Sequence, residues 1–228
     1  YTRLFSFLTS FFVLSLLIPL QAQTKDTISF KVMSYNVENL FDIRDDSLKN
    51  DNEFLPTAVR HWDYYKYRKK LDNLAKVIMA VGEEEIPTLV ALCEVENDSV
   101  LYHLTRYSAL READYRYLIT ESKDERGIDV ALLYQRHLFK PIAQHAYQVA
   151  PTSRQLSPTR DILHVSGLLI NNDTLDLFVC HFPSRSRGTK LTEPYRKRAA
   201  EIVKAASDSI LSHRQHGQVI ILGDLNDY

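Results

Sequence analysis

Residues 162–180 read ILHVSGLLI-NND-TLDLFVC, two apolar runs joined by Asn171-Asn172-Asp173. Asn and Asp tolerate left-handed backbone and hydrogen-bond their own chain, so this pattern predicts a β-hairpin, the clearest in the sequence. The second run ends directly in His181. The same thing happens elsewhere. Residues 27–37 (TISFKVMSYNV) form an apolar, β-branched run that ends near Asn36, with Ile28, Phe30, Val32, Ser34 and Asn36 on one face. Residues 88–93 (TLVALC) end at Glu94, and residues 219–222 (VIIL) are followed by Gly223, Asp224 and Asn226. Polar groups are costly to bury alone, and four strands that each deliver one at the same kind of place predict a shared polar site.

Strands are also expected at 115–120 and 128–134, around a charged turn. Tyr64, Tyr67, Leu71, Leu74 and Ile78 repeat at helical spacing and predict a helix with Gly82 as its end cap. A short helix capped by Asp98 or Ser99 is expected through Leu104. A long helix is expected over 193–213, with Ala199, Ile202, Val203, Ala206 and Ile210 on its apolar side. Residues 39–56 read as a polar, acidic loop. Many strands with a few long helices, without a repeat or a linker, predict one layered α/β domain.

Composition narrows the function classes. The chain has 228 residues, 45% hydrophobic and 25% charged, which excludes a disordered chain and a disulfide-stapled miniprotein. Eight Pro and six Gly exclude a collagen-like or linker sequence. The formal net charge is −1, so any polyanion must be met by a local basic patch rather than by the field of the whole protein. Cys93 and Cys180 are the only cysteines, and no CxxC or Cys/His cluster suggests zinc. If Glu94 and His181 face the site, strand alternation turns both thiols the other way, into the packing of sheet against helix. Two buried, inert thiols are therefore expected, with a disulfide as the alternative.

Arg3 is the only charge before Lys25, and residues 4–20 between them are mostly Leu, Phe, Val and Ile. This predicts a secretory signal over residues 1–22, cleaved after Ala22; an uncleaved anchor is the alternative. The expected product is an exported monomer, periplasmic or secreted, whose domain covers 26–228 and which keeps no stable membrane anchor.

Five segments together carry a family resemblance: MSYNVENLFD (33–42), ALCEVEN (91–97), RGIDVALLY (126–134), VCHFPSRSRG (179–188) and ILGDLND (221–227). In this order they resemble the endonuclease/exonuclease/phosphatase superfamily, which includes DNase I-like nucleases, abasic-site endonucleases, sphingomyelinases and inositol-polyphosphate phosphatases. The resemblance implies a four-layered α/β sandwich, two packed mixed sheets flanked by helices. It also implies a phosphoesterase that uses Mg²⁺ or Mn²⁺. By this resemblance Glu94 is the main metal carboxylate with Asn36 beside it. Asp224 orients and activates water, and His181 and Asn226 stabilise the phosphate. Hard carboxylate oxygen suits such cations, and phosphodiester hydrolysis needs charge stabilisation on the phosphoryl oxygens.

Arg126 is read either as a phosphate clamp or as a solvated charge beside Asp124 and Glu125, and Asp129 is given no role. Arg185 and Arg187 lie in a basic segment after His181 that suits a phosphate backbone. Residues 64–70 (YYKYRKK) are basic and aromatic, and read either as a second such patch or as a solvated helix start. Nucleic acid is the leading expected substrate, with a phosphatase or sphingomyelinase-like phospholipase as the alternative. The family completes its site with a late Asp-His pair. None follows GDLND in this sequence, so a C-terminally truncated domain is expected, and a non-catalytic binding module stays open.

Overall fold

The structure, a computed structural model, describes residues 30–227. The expected signal segment 1–22, and Ile28 of the first strand, lie outside the described residues. Two four-stranded sheets pack face to face. The first has the order β1 (Val32–Leu40), β2 (Leu89–Val95), β4 (Asp129–Gln135), β3 (Tyr115–Ile119). The second has the order β5 (Phe139–Tyr147), β6 (Ile162–Leu169), β7 (Thr174–His181), β8 (Gln218–Asp224). Both are mixed. β1 and β2 run parallel, as do β7 and β8, and the remaining pairs are antiparallel.

Leu89, Ala91, Val130 and Leu132 of one sheet meet Val165, Leu177 and Val179 of the other. Helices cover the outer faces. On the first sheet, α1 (Tyr64–Gly82) and α2 (Asp98–Tyr107) pack Leu71, Ile78, Leu101 and Leu104 over Val37, Leu92 and Leu133. On the second, α3 (Thr189–His213) packs Tyr195, Ala199 and Val203 over Phe178 and Ile162. Helix, sheet, sheet and helix make the expected four layers. Full burial contributes about 1.5–3 kcal/mol for each large aliphatic side chain, so three such packed interfaces fix which face of every strand points inward.

Several expectations are corrected. Tyr64 is exposed, because the first residue of α1 lies outside the packed stripe, which begins at Tyr67. Gly82 is the last residue of α1 rather than its cap. It lets Pro87 approach to 3.1 Å of where a Cβ would stand, while Glu83 takes the positive φ. The cap of α2 is Asn97, whose side chain accepts from Val100 N, and not Asp98 or Ser99. β1 continues into the expected loop as far as Leu40. The loop then folds back on itself, with Phe41 stacked on Phe54 and Trp62 donating Nε1–H to the Phe41 carbonyl. α3 begins at Thr189, four residues before the expected start.

β5 is a strand that the sequence pattern does not announce. Its sequence FKPIAQHAY carries Pro141 and is largely exposed, as suits an edge strand whose register slips between Pro141 and Ala143. Cys180 faces α3 as expected, but Cys93 faces the second sheet, where its thiol donates to the Cys180 carbonyl at 3.3 Å. Glu94 has φ +66 and the β2 register shifts between Cys93 and Val95, so simple alternation fails there. Both cysteines are free and buried, and burial pushes each thiol up to about 12.

Candidate active site

The mixed topology brings the polar strand ends together. β1 with β2, and β7 with β8, are parallel neighbours, so the C-terminal ends of all four strands lie at one rim of the sandwich. Antiparallel β4 and β6 begin at that same rim and bring Arg126 and Arg160 from the segments just before them. Local irregularity then aims the side chains. Glu38, Asn39 and Glu94 all have positive φ, and the β1 and β2 registers slip beside Asn36 and Glu94. These bulges turn Asn36 and Glu94 into the cleft between the sheets.

At the centre Asn36 Nδ2 donates to Asp224 Oδ2 at 3.1 Å and lies 3.5 Å from Glu94 Oε1. One amide therefore holds two carboxylates that come from different sheets. Asn36 Oδ1 accepts from the Glu38 backbone N–H at 3.0 Å, which fixes the orientation of the amide. His181 Nε2 stands 3.8 Å from Glu94 Oε1 and 4.0 Å from Asp224 Oδ2, longer than hydrogen bonds. The Asn226 backbone N–H donates to Asp224 Oδ1 at 3.0 Å, and its Nδ2 donates to the Phe182 carbonyl at 2.9 Å. Asp224 thus receives one donor at each oxygen, a fixed orientation for a base.

Arg160 is a site residue that sequence reasoning missed. It is 6% exposed, donates Nη1–H to Asp124 at 3.3 Å and Nη2–H to the Phe182 carbonyl at 2.8 Å. The same carbonyl holds Asn226, so Arg160 braces the rim from behind. The signal for it existed: a polar residue at the start of a strand antiparallel to one that ends in the site. Asp129 accepts from Thr120 Oγ1 at 2.6 Å and from the Ser122 N–H at 3.1 Å, so it pins the 120–124 segment instead of entering the cleft.

Burial, then Arg160 and Arg126, push the His181 imidazole down to about 2, so it stays neutral across the neutral range. The unfolded chain takes up this proton near 6.5 and the native ring does not until about 2, so this group weakens the fold as pH falls below about 6.5. In NMR spectra of the metal-free protein the His181 ring signals are expected to stay fixed as pH passes through 6.5, and a titration there would contradict the burial.

All eight residues expected at the site line connected cavities. Glu94, Arg126, His181, Arg187, Asp224 and Asn226 line one, and Asn36 and Arg185 line a neighbour that shares Asp224 and Asn226. The Arg126 side chain is half exposed, with Nε 3.9 Å from buried Asp124. Arg187 donates to the Gln155 carbonyl at 3.1 Å. Among the described residues no group of three or more His, Cys, Asp or Glu side chains is arranged to hold a metal ion. Also among them, no helix is long and apolar enough to cross a membrane.

Solved structures share the fold at low sequence identity. A TDP2 from C. elegans superposes with a TM-score of 0.59 at 16% identity, covering 87% of this chain and 48% of that one. The human Nocturnin catalytic domain with bound sulfate gives 0.57 at 15%, covering 87% and 64%. ANGEL2, described as a 2′,3′-cyclic phosphatase, gives 0.62 at 16%, covering 87% and 53%. The chain therefore spans about half to two thirds of the length of these relatives. No curated protein sequence is significantly similar to it. Residues 31–228 match the model of the endonuclease/exonuclease/phosphatase family, and the chain belongs to that family.

Proposed function

We propose that the protein is an exported, monomeric, metal-dependent phosphodiesterase acting on nucleic acid. The observation that carries this reading is the Asn36 amide that gathers Glu94 and Asp224 from opposite sheets beside a buried neutral His181. Export rests on the apolar N-terminal run, and nucleic acid on the arginines around the cleft. Glu94 would hold Mg²⁺ or Mn²⁺, with Asn36 beside it. The donor chemistry fits, since such cations take one or two carboxylates and complete their shell with water and substrate oxygen. When bound, the cation supplies charge neutralisation on a phosphoryl oxygen.

The remaining work falls to the chain itself. Asp224, held at both oxygens, orients an attacking water and accepts its proton at the carboxylate. Neutral His181 offers a ring N–H to a phosphoryl oxygen, and Asn226, whose amide also holds the Phe182 carbonyl, offers its second N–H. Arg126, Arg185 and Arg187 surround the cleft and hold neighbouring phosphates.

The test is an assay of plasmid DNA and of RNA with Mg²⁺, with and without EDTA. Cleavage that EDTA abolishes is expected. Absence of cleavage, with release of phosphate or headgroup from small esters, would move the protein to the phosphatase or phospholipase reading. Inactivity on all of them would favour a binding module.

A further inference from the structure

Resting on that phosphodiesterase reading, we infer that α1 carries a distal arm of the substrate cleft, where lysines beside Trp62 hold the backbone of a nucleic-acid strand. The buried stripe of α1 is Tyr67, Leu71, Leu74 and Ile78. Lys66, Lys69, Lys70 and Asn73 form the adjacent stripe at helical spacing. That stripe lines a separate cavity, together with Trp62, Tyr35 and Asn36. Within the basic, aromatic 64–70 segment, Lys66, Lys69 and Lys70 line this cavity, and Lys66 and Lys69 are exposed, as are Tyr64 and Tyr65.

Two of these lysines are anchored on backbone carbonyls. Lys66 Nζ donates to the Arg60 carbonyl at 2.7 Å, and Lys70 Nζ donates to the Glu38 carbonyl at 2.6 Å. Lys70 also stands 5.9 Å from the centre of the Trp62 ring; burial pulls its ammonium below the usual lysine range, and the Glu38 and Glu94 carboxylates oppose that shift. A groove of cations with aromatic walls is what an extended single strand uses, its phosphates against the cations and its bases against the rings.

Continuity of the cleft argues for a polymer over a small ester. The α1 cavity shares Asn36 with the cavity of Arg185 and Asp224, which in turn shares Asp224 and Asn226 with the cavity of His181 and Arg187. Cations line both ends of this path, with Glu38 among the lysines and Asp124 and Glu125 among the arginines, and Glu94 and Asp224 stand between them. A phosphomonoester or a lipid headgroup reaches one side only, whereas a chain of phosphodiesters reaches both. With a net charge of −1, the protein has no general positive field that would make this arrangement incidental.

Trp62 is the only tryptophan, so its fluorescence reports on this arm directly. The experiment adds a single-stranded oligonucleotide to the full chain in EDTA, at several salt concentrations, and reads both Trp62 emission and the anisotropy of a label on the oligonucleotide. Binding that quenches Trp62 is expected. The Lys66→Ala/Lys69→Ala double variant should lower the slope of log affinity against log salt by about 0.7 for each phosphate that these lysines neutralise. Lys140→Ala/Lys204→Ala removes the same charge from exposed positions on β5 and α3 and should leave the slope as it was. No binding, binding without change at Trp62, or equal slope changes in the two double variants would overturn the arm. Binding and quenching as expected, without hydrolysis on adding Mg²⁺, would sink the phosphodiesterase reading and leave the arm standing.

Discussion

Asp224→Asn is expected to lower turnover by about 10²–10⁴, the usual cost of removing a positioned base. The substitution is nearly isosteric. The Asn226 N–H can still donate to the remaining side-chain oxygen, so the fold at the β8 end should survive. What goes is the carboxylate that accepts from Asn36 at 3.1 Å and from Asn226 at 3.0 Å. Glu94→Gln should behave differently. It removes a hard anionic ligand, so Mg²⁺ binding and activity should fall together, and excess Mg²⁺ should restore part of the rate. The measurement is kcat and KM for both variants over a range of Mg²⁺, with metal affinity read separately by calorimetry. Partial rescue of Glu94→Gln alone supports the division of roles. Equal rescue of both would mean that the two carboxylates share the cation.

The division between what the sequence revealed and what it hid has a physical basis. Apolar β-branched runs ending in a polar residue were readable at Asn36, Glu94, His181 and Asp224 because burying such a group needs a partner, and parallel strand pairs bring those ends to one rim. The helix stripes were readable because the faces of α1 and α3 that pack on the sheets are periodic. Alternation failed at Cys93. It assumes a regular strand, and the positive φ of Glu94 is a local departure that no periodicity announces. The same departure is what carries Glu94 into the cleft. β5 was hidden because an edge strand buries too little to show a pattern. Arg160 was missed although the hairpin was legible, because it precedes the apolar run and gains its role only from the pairing that places the start of β6 against the end of β7.

Gly223→Ala should be the most damaging single methyl group in the protein. Gly223 has φ +126, a conformation that side chains disfavour, and an added Cβ would stand 1.9 Å from the Cys180 carbonyl oxygen. Its next neighbours, at 2.8 Å and 2.9 Å, are the carbonyl carbon and nitrogen of the same residue. All three are backbone, so no side chain can swing away to make room. β7 and β8 must separate at the Cys180–Gly223 pair, next to the His181–Asp224 pair and to the Phe182 N–H that donates to the Asp224 carbonyl at 2.9 Å. A loss above about 4 kcal/mol is expected, in the range reserved for strained backbone and overpacked cores. For a domain of this size that lowers the melting temperature by roughly 10 °C or more, and what remains folded should have a displaced Asp224 and little activity. Gly167→Ala is the internal comparison. Its Cβ would meet the fully buried Phe139 ring at 2.2 Å, which must repack, but that is a side chain and not backbone, and Gly167 needs no positive φ. The expected order in thermal melts is therefore wild type, then Gly167→Ala, then Gly223→Ala. A Gly223→Ala protein that melts within about 2 °C of wild type would show that β7 and β8 do not approach this closely at the rim.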